Sequence, residues 1–226
     1  MPLVGGSRAA TSAGKSGRRR RRRSVDDARR EILDAAERLL KEGGPDAVRV
    51  QAVARAVGVT DAAVHYHFGS REALLDSLIR DVGRRMQADL AEIASRWDDA
   101  EIDLDSLLAL LDETYRVRGY ARLTAWMRLT GWRPKGAGMF RAHSEALYEA
   151  RAQRADDAGE VPAPLEDSLH LITLLNLVTW ADPLVGAEWR RSVGLPATPE
   201  AAARFRQWLV DLLQAHIERE TGHGRR

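Results

Sequence analysis

Along most of the chain, apolar residues recur every three or four positions, which is the spacing of one buried face of an α-helix. The first such stripe follows Ser24, a residue type that caps helix starts, and ends at the Gly-Gly-Pro of positions 43–45. A longer stripe follows Ser70 and continues to about Trp97. Both segments are therefore predicted to be amphipathic helices.

Beyond Ile102 the spacing stays helical, and no segment alternates convincingly as a β-strand would. Asp182 and Pro183 are predicted to interrupt the helical pattern, with Trp189 in a short turn after them. A last helix should start at Thr198, because a capping residue is followed there by proline. The pattern predicts an all-α fold. The other helices predicted in this region are 104–118, 120–132, 139–157 and 165–181.

The segment from Val50 to Glu72 contains two short apolar stripes separated by Gly58. Gly58 can adopt the left-handed backbone of a tight turn, and the small Ala54 lets a second helix cross close by. This is the pattern of a helix-turn-helix, which presents a short helix starting near Thr60 to the major groove of DNA. An ordinary helical hairpin has the same spacing, so the pattern alone leaves both interpretations open.

The residues that follow this turn make the pattern more specific. Tyr66, His67 and Phe68 form an aromatic–His–Phe stretch, and Ser70 and Glu72 belong to the helix start after it. This arrangement closely resembles the end of the DNA-binding head of TetR/AcrR-family transcriptional regulators. The resemblance to that head covers about residues 24–95.

The chain departs from the family pattern at three positions. His65 stands where the family usually has a phosphate-contacting Tyr, and Arg49 stands where many members have a Thr or Ser cap. Arg71 replaces the usual Lys and keeps its charge.

The resemblance implies an N-terminal helix-turn-helix head of three helices, joined to a larger helical bundle for ligand binding and dimerisation. We therefore expect three parts. They are a disordered Arg-rich arm at 1–23, a DNA-binding head at 24–72, and an effector-binding and dimerisation domain at 73–226.

The helix that starts near Thr60 spans only about two turns, so few of its side chains can reach base pairs. The alanines near its start can contact a thymine methyl group, and the Asp beside them can accept from cytosine N4. The resemblance implies contacts for Thr60, Tyr66 and Arg71, whereas a DNA role for His65 is inferred from the residue itself. The predicted DNA-contacting residues are Arg49, Gln51, Thr60, Asp61, Ala62, Ala63, His65, Tyr66 and Arg71.

Charge is distributed unevenly along the chain. Residues 1–23 contain eight Lys or Arg and no acid, whereas the net charge of the whole chain is only +2. Residues 24–72 contain seven Lys or Arg against nine Asp or Glu. The head is therefore not generally basic, and we expect it to bind phosphates through a few placed groups, helped by the arginines at 18–23. A merely solubilising tail would have the same composition.

The chain contains no cysteine, which excludes disulfides and thiolate catalysis. We find no secretory signal, and the most apolar run, 169–181, is too short to span a bilayer. These features predict a cytoplasmic protein with no membrane association.

No catalytic triad, phosphate-binding glycine loop, paired carboxylates or metal-ligand spacing is visible, so neither an enzyme nor a cofactor site is predicted.

The region after the head is larger than DNA binding requires. The segments 165–181 and 199–220 have wide apolar faces, and the resemblance implies that they pair with their copies in a homodimer. Aromatic and Met residues between head and interface can line an effector pocket, and Arg118 and Arg122 can meet an anionic group on the ligand. Plain core packing is the alternative. The predicted pocket residues are Met86, Tyr115, Arg118, Arg122, Trp126, Met127, Phe140 and His143.

The sequence thus predicts a ligand-responsive, DNA-binding transcriptional regulator. The resemblance implies a dimeric repressor that a small-molecule effector releases from its double-stranded operator. The alternative is a helical small-molecule-binding or scaffold protein that does not recognise a DNA sequence.

Overall fold

The computed structural model describes the backbone of residues 12–97, 102–133 and 138–221, with side chains from residue 25 to residue 219 within those ranges. All regular structure in these ranges is helical, which confirms the predicted all-α class. The helices are α1 (Ser12–Gly43), α2 (Val50–Val57), α3 (Asp61–Phe68), α4 (Arg71–Ala94), α5 (Leu104–Asp112), α6 (Tyr120–Leu129), α7 (Arg141–Asp157), α8 (Leu165–Ala181), α9 (Ala187–Ser192) and α10 (Pro199–Thr221).

The chain divides into two compact units, one up to Leu78 and one from Ile79 onward. The sequence placed this boundary between residues 72 and 73, six residues earlier. The difference lies in the start of α4, where Leu74, Leu75 and Leu78 are fully buried and belong to the first unit. The apolar start of α4 thus contributes to the head, and the remainder of the helix contributes to the second unit.

The helix-turn-helix forms as the sequence predicted. Gly58 ends α2 with left-handed torsion angles (φ 77°, ψ 30°), and its N–H is within hydrogen-bonding distance of the carbonyl oxygens of Ala54 and Arg55. Val53 and Val64 face inward and are almost completely buried. A single turn of 3₁₀-helix, Pro45–Ala47, connects α1 to α2.

The prediction of a disordered arm at 1–23 is wrong for residues 12–23, since α1 begins at Ser12. Residues 1–11 lie outside the described residues. The physical reason is helix propagation: the amphipathic segment after residue 24 supplies the nucleus, and arginine is a good helix former. The six arginines at 18–23 therefore continue α1.

The second unit is a helical bundle whose core lies between α5, α7, α8 and α10. The largest fully buried side chains of this core are leucines, with one isoleucine. Trp97, which lies three residues after the end of α4, is buried in the same cluster. Fully buried core members are Leu90, Ile102, Leu111, Leu147 and Leu175.

Two wide turns of π-helix extend helices in this unit. Glu113–Val117 continues α5, and Asp182–Gly186 joins α8 directly to α9. The predicted interruption at Asp182 and Pro183 is therefore wrong, and Trp189 lies in α9 rather than in a turn. A π turn accommodates one extra residue, which relieves the clash between a proline ring and the carbonyl group one turn earlier.

The resulting continuous helix, Leu165–Ser192, has 28 residues and is, by length and composition alone, long and apolar enough to cross a membrane. The apolar run is thus longer than the sequence pattern indicated. Only 22% of its most apolar stretch is buried within the single chain. Length and composition alone do not identify a membrane span, because the core helix of a soluble protein passes the same test.

Candidate DNA-binding head and effector region

Helix α3 has one inward and one outward face. Thr60 caps its start, since the hydroxyl oxygen accepts a hydrogen bond from the backbone N–H of Ala63 at 3.2 Å. Val64 and Phe68 are buried, whereas His65 is exposed and Tyr66 is 78% exposed. Ala62 is also exposed, and Asp61 and Ala63 are half-buried beside it. The outward residues that the sequence predicted are therefore together on one short helix.

The start of α2 is a second element of the same surface. Arg49 occupies the cap position with an extended backbone, and among the described residues no side chain caps this helix. The Nε of Arg49 donates to the carbonyl oxygen of Asp46 at 3.1 Å, and Gln51 is exposed in the first turn. The first backbone N–H groups of α2 are therefore available to an external acceptor.

Arg71 lies at the start of α4 and is partly buried. Its Nε donates to the carbonyl oxygen of Val48 at 2.7 Å, and one terminal nitrogen donates to that of Pro45 at 2.6 Å. These bonds fasten the segment before α2 to the start of α4. This guanidinium therefore positions the segment before α2, and the phosphate contact that the sequence predicted for Arg71 stays a prediction.

These groups surround an open cavity of about 390 Å³. Two guanidinium groups and one imidazole line it, against a single carboxylate. An excess of cationic groups beside an uncapped helix start favours an anion such as a phosphate. The lining residues are Asp46, Arg49, Val50, Gln51, His65 and Arg71.

The sequence analysis missed Arg29 of α1, which contacts the end of α3. One terminal nitrogen donates to the carbonyl oxygen of His67 at 2.6 Å, and the other donates to the hydroxyl of Ser77 at 3.1 Å. The guanidinium carbon also lies 4.2 Å from the ring centroid of Phe68. Arg29 therefore joins α1, α3 and α4. No local pattern indicates this contact, because its partners lie 38 and 48 residues further along the chain.

The predicted effector residues are spread over several elements of the second unit. Met86 is part of the main core cluster, and Tyr115 and Phe140 pack against that cluster. Met127 is buried in α6, and His143 is buried in α7. These residues therefore contribute at least in part to ordinary packing, which was the alternative left open by the sequence.

Burial affects two titratable groups in this region. It raises the pKa of Tyr115 to about 12, and the hydroxyl lies 3.4 Å from the side-chain oxygen of Asn176. Burial also lowers the pKa of His143, although nearby backbone groups of Gln87 and Met139 oppose the shift. Both side chains are therefore neutral at pH 7.

The remaining predicted pocket residues lie in or next to α6. Arg118 places its guanidinium 5.4 Å from the ring centroid of Tyr120. Arg122 is exposed, and Trp126 is half-buried.

Phe140 lines an open cavity of about 410 Å³ between the start of α7 and α8. Met139, Ile172 and Leu177 contribute apolar surface to it, and Asn176 contributes an amide. Because the same Asn176 contacts the hydroxyl of Tyr115, this cavity is adjacent to two of the predicted effector residues. Its volume lies within the usual range for small-molecule sites.

A network of charges connects α5, α9 and α10, and sequence analysis did not predict it. Asp182 pairs with Arg190, and both side chains are almost fully buried. The guanidinium of Arg206 lies 3.7 Å from the Asp182 carboxylate and 3.6 Å from that of Asp112. These ion pairs fix the turn between α8 and α9 against α10.

The predicted dimer segments have exposed apolar side chains on α8 and α10, and the surface extends onto the turn after α8 and onto α9. A groove of about 340 Å³ with an almost wholly apolar lining lies next to this surface. The large exposed side chains are Leu174, Leu177, Val185, Trp189, Trp208 and Leu212.

Comparison with known proteins identifies relatives of both units. The family model described as "Bacterial regulatory proteins, tetR family" matches residues 32–78. A Mycobacterium tuberculosis protein named as an uncharacterized HTH-type transcriptional regulator is 33% identical over 138 residues, which cover 61% of this chain and 66% of that protein. The match thus spans just under two thirds of that relative's length.

Two further proteins show the same likeness. The HTH-type transcriptional repressor KstR2 of Rhodococcus jostii is 30% identical over 97 residues, or 43% of either chain. The crystal structure of a Mesorhizobium loti protein assigned to the TetR family superposes with a TM-score of 0.53 at 15% identity, covering 85% of this chain and 96% of the other. At this identity the superposition shows the fold alone, a helix-turn-helix head followed by a helical bundle.

Proposed function

Because the chain belongs to the TetR family of bacterial regulatory proteins, we propose that it is a dimeric transcriptional repressor that a small molecule releases from its operator. The observation that carries the DNA-binding part is the outward surface formed by α3 and the start of α2. An exposed tyrosine and histidine lie on a two-turn helix, beside an uncapped helix start and a cavity lined by two arginines.

In this proposal α3 enters the major groove, with Ala62 and Ala63 near thymine methyl groups and Asp61 near a cytosine amino group. Tyr66 and Thr60 contact the backbone at its two ends. Gln51, Arg49 and the N–H groups of α2 bind a neighbouring phosphate. The basic N-terminal extension of α1 adds salt-dependent attraction to the DNA.

Dimerisation through α8 and α10 is the second part of the proposal. A two-fold dimer presents two heads to half-sites one DNA turn apart, about 34–36 Å. The exposed leucines and tryptophans of α8–α10 support it, because monomeric soluble proteins rarely expose large contiguous apolar patches. In such a dimer the apolar surface of the 28-residue helix is buried against the partner protomer, so no membrane is needed to cover it. This agrees with a cytoplasmic regulator.

The third part is release by an effector that binds the second unit. The cavity beside Phe140 and Asn176 supports it, since it combines apolar walls with a few polar groups. A ligand that prefers the conformation unable to bind DNA shifts the population away from the operator. KstR2, named as a repressor, supports repression as the direction of regulation. No enzymatic activity is part of this proposal.

A gel-shift assay with the DNA upstream of its own coding sequence tests the proposal. Specific binding that competitor DNA does not remove is the expected result, and Tyr66→Phe should weaken it. A helical small-molecule-binding or scaffold protein would instead show no preference over random duplex. If binding occurs but no compound from a metabolite panel releases it, the effector part fails while the DNA-binding part stands.

A further inference from the structure

One hydrogen bond holds the exposed imidazole of His65 against the turn that ends α3, and a second joins the backbones of the same two residues. The backbone N–H of Gly69 donates to the carbonyl oxygen of His65 at 2.7 Å. In return, Nδ1 of the His65 ring lies 2.8 Å from the carbonyl oxygen of Gly69. Gly69 has a φ of 81°, which favours glycine, so the turn that positions this oxygen depends on the residue type.

The hydrogen bond of the imidazole fixes the position of the proton on the His65 ring. A carbonyl oxygen can only accept, so Nδ1 carries a proton whether the ring is neutral or charged. The neutral ring therefore presents Nε2 as an acceptor. The protonated ring presents the same atom as a cationic N–H donor.

The charged groups around His65 come from four elements: the 3₁₀ turn, the start of α2, the start of α4 and α3 itself. Arg49, Arg71 and Asp46 line the same cavity as the imidazole. Asp61 lies one turn earlier on α3 itself. The two guanidinium groups outnumber the carboxylate in the cavity, so the cavity attracts an anion even before His65 is protonated.

A phosphate oxygen can only accept hydrogen bonds. A neutral His65 would turn the lone pair of Nε2 towards it, whereas a protonated His65 donates a charge-assisted hydrogen bond. We propose that His65 is a proton-dependent phosphate contact, so that each head takes up a proton when it binds DNA and binding tightens as the pH falls from 8.0 to 5.5. This inference rests on the proposed DNA-binding function and names a regulation of that same site.

The test measures the dissociation constant between pH 5.5 and 8.0 at constant ionic strength, a window in which carboxylates and guanidinium groups ordinarily keep their charge. The probe is a duplex selected from a random-sequence pool by the full-length wild-type protein. We expect binding per head to be about tenfold tighter at pH 5.5, the factor that one hydrogen bond to a charged group supplies.

Three variants isolate the contribution of His65. His65→Gln keeps a neutral polar side chain and should remove the pH dependence. His65→Arg carries a permanent charge and should bind with little pH dependence. His223→Gln changes a histidine that lies outside both the head and the segments proposed for dimerisation, and it should keep the wild-type profile. Because His65 is exposed, its variants should fold, and circular dichroism verifies this for all three.

Each result has a distinct meaning. If the wild type selects no duplex, the DNA-binding function fails and this inference falls with it. If it binds DNA with the same affinity across the pH range, or if His65→Gln keeps the pH dependence, the inference alone is wrong. Weaker binding at low pH in the wild type but not in His65→Gln would identify neutral Nε2 as an acceptor for a base amino group, and would also overturn it.

Discussion

The guanidinium of Arg29 donates a hydrogen bond of 2.6 Å to the carbonyl oxygen of His67, one of the last carbonyl groups of α3. These carbonyls have no partner within the helix, and they carry the negative end of its dipole. A cation from α1 therefore neutralises the end of the helix that we propose for base recognition. The contact with the Phe68 ring adds a cation–π interaction to the same attachment.

The first prediction concerns this attachment. Arg29→Met should keep the packing against Phe68 but lose both hydrogen bonds, so α3 becomes less well positioned and DNA binding weakens by about tenfold. Arg29→Lys should restore part of the affinity, because an ammonium group can still donate to the His67 carbonyl. Equilibrium binding at several salt concentrations provides the measurement. The slope of log K against log salt should be unchanged. A lower slope in Arg29→Met would indicate that Arg29 contacts a phosphate directly.

The second prediction separates Arg49 from Arg71. Arg49→Ala should lower the slope of log K against log salt by about one, because it removes a cation that we place on a phosphate. Arg71→Ala should leave the slope nearly unchanged and reduce affinity by releasing the segment before α2, since its guanidinium is bonded to the carbonyl groups of Val48 and Pro45. The same salt series on both variants checks this, and equal slopes would contradict it.

The third prediction concerns the turn of the helix-turn-helix. Gly58 has a φ of 77°, and a Cβ added there would meet no atom within 4 Å. Gly58→Ala should therefore destabilise the protein by about 1–2 kcal/mol through backbone strain alone, without a steric clash. Gly58→Asn should cost less, because asparagine adopts left-handed torsion angles more readily. Urea unfolding followed by circular dichroism measures both, and a larger cost for Asn than for Ala would contradict this explanation.

Local sequence signals were sufficient to predict the features of the head that depend on neighbouring residues. The turn at Gly58, the helix start near Thr60 and the outward position of Tyr66 all follow from spacing and residue type within one or two turns. The hydrogen bonds of Arg29 and Arg71 could not be predicted in this way, because they join residues more than 20 positions apart. Chain topology determines such contacts, and the sequence pattern of a single helix contains no information on them.

The errors in the second unit and at the N-terminus have a related cause. Pro183 was expected to end a helix, but a π turn accommodates it and the helix continues. The composition of residues 12–23 suggested disorder, but a helix already formed by the adjoining segment extends through them. In both cases a local preference is outweighed by the cooperativity of the neighbouring helix. The effector residues were the least predictable, since aromatic and Met side chains serve cores and pockets equally well.

The fourth prediction concerns pH and the ion pairs that join α7, α8 and α10. Burial alone would raise the pKa of Asp167, but hydrogen bonds from His216 and Arg151 outweigh it and hold that pKa below its ordinary value. A lowered pKa in the folded state means that this stabilisation is present above the ordinary carboxyl pKa and is lost as the pH falls through the folded value. Acid unfolding should therefore begin below about pH 4 in this region.

Asp167→Ala tests this by removing the partner of Arg151, whose side chain is only 3% exposed. Leaving a buried guanidinium without its carboxylate should cost about 3–5 kcal/mol at pH 7. The difference from the wild type should shrink as the pH falls through the lowered pKa of Asp167, because the wild-type carboxylate then also loses its charge. His216→Gln, which keeps the Arg151–Asp167 pair, is the matched control and should cost much less. Thermal unfolding at several pH values measures this, and a difference independent of pH would contradict it.

The last prediction concerns the exposed apolar surface of α8 and α10. Leu177 is 59% exposed and Trp208 is 54% exposed in the single chain, so a charge at either position should not disturb the core of the protomer. In the dimer that we propose, the same charge would be buried without a partner, which costs several kcal/mol. Leu177→Glu and Trp208→Glu should therefore produce folded monomers in sedimentation velocity at micromolar concentration. They should also lose operator binding, because a single head contacts only one half-site.

Val161→Glu is the control: it places the same charge on an exposed valine of the loop before α8 and should remain dimeric. A monomeric wild type, or full operator binding by monomeric variants, would contradict a two-fold dimer formed through these helices.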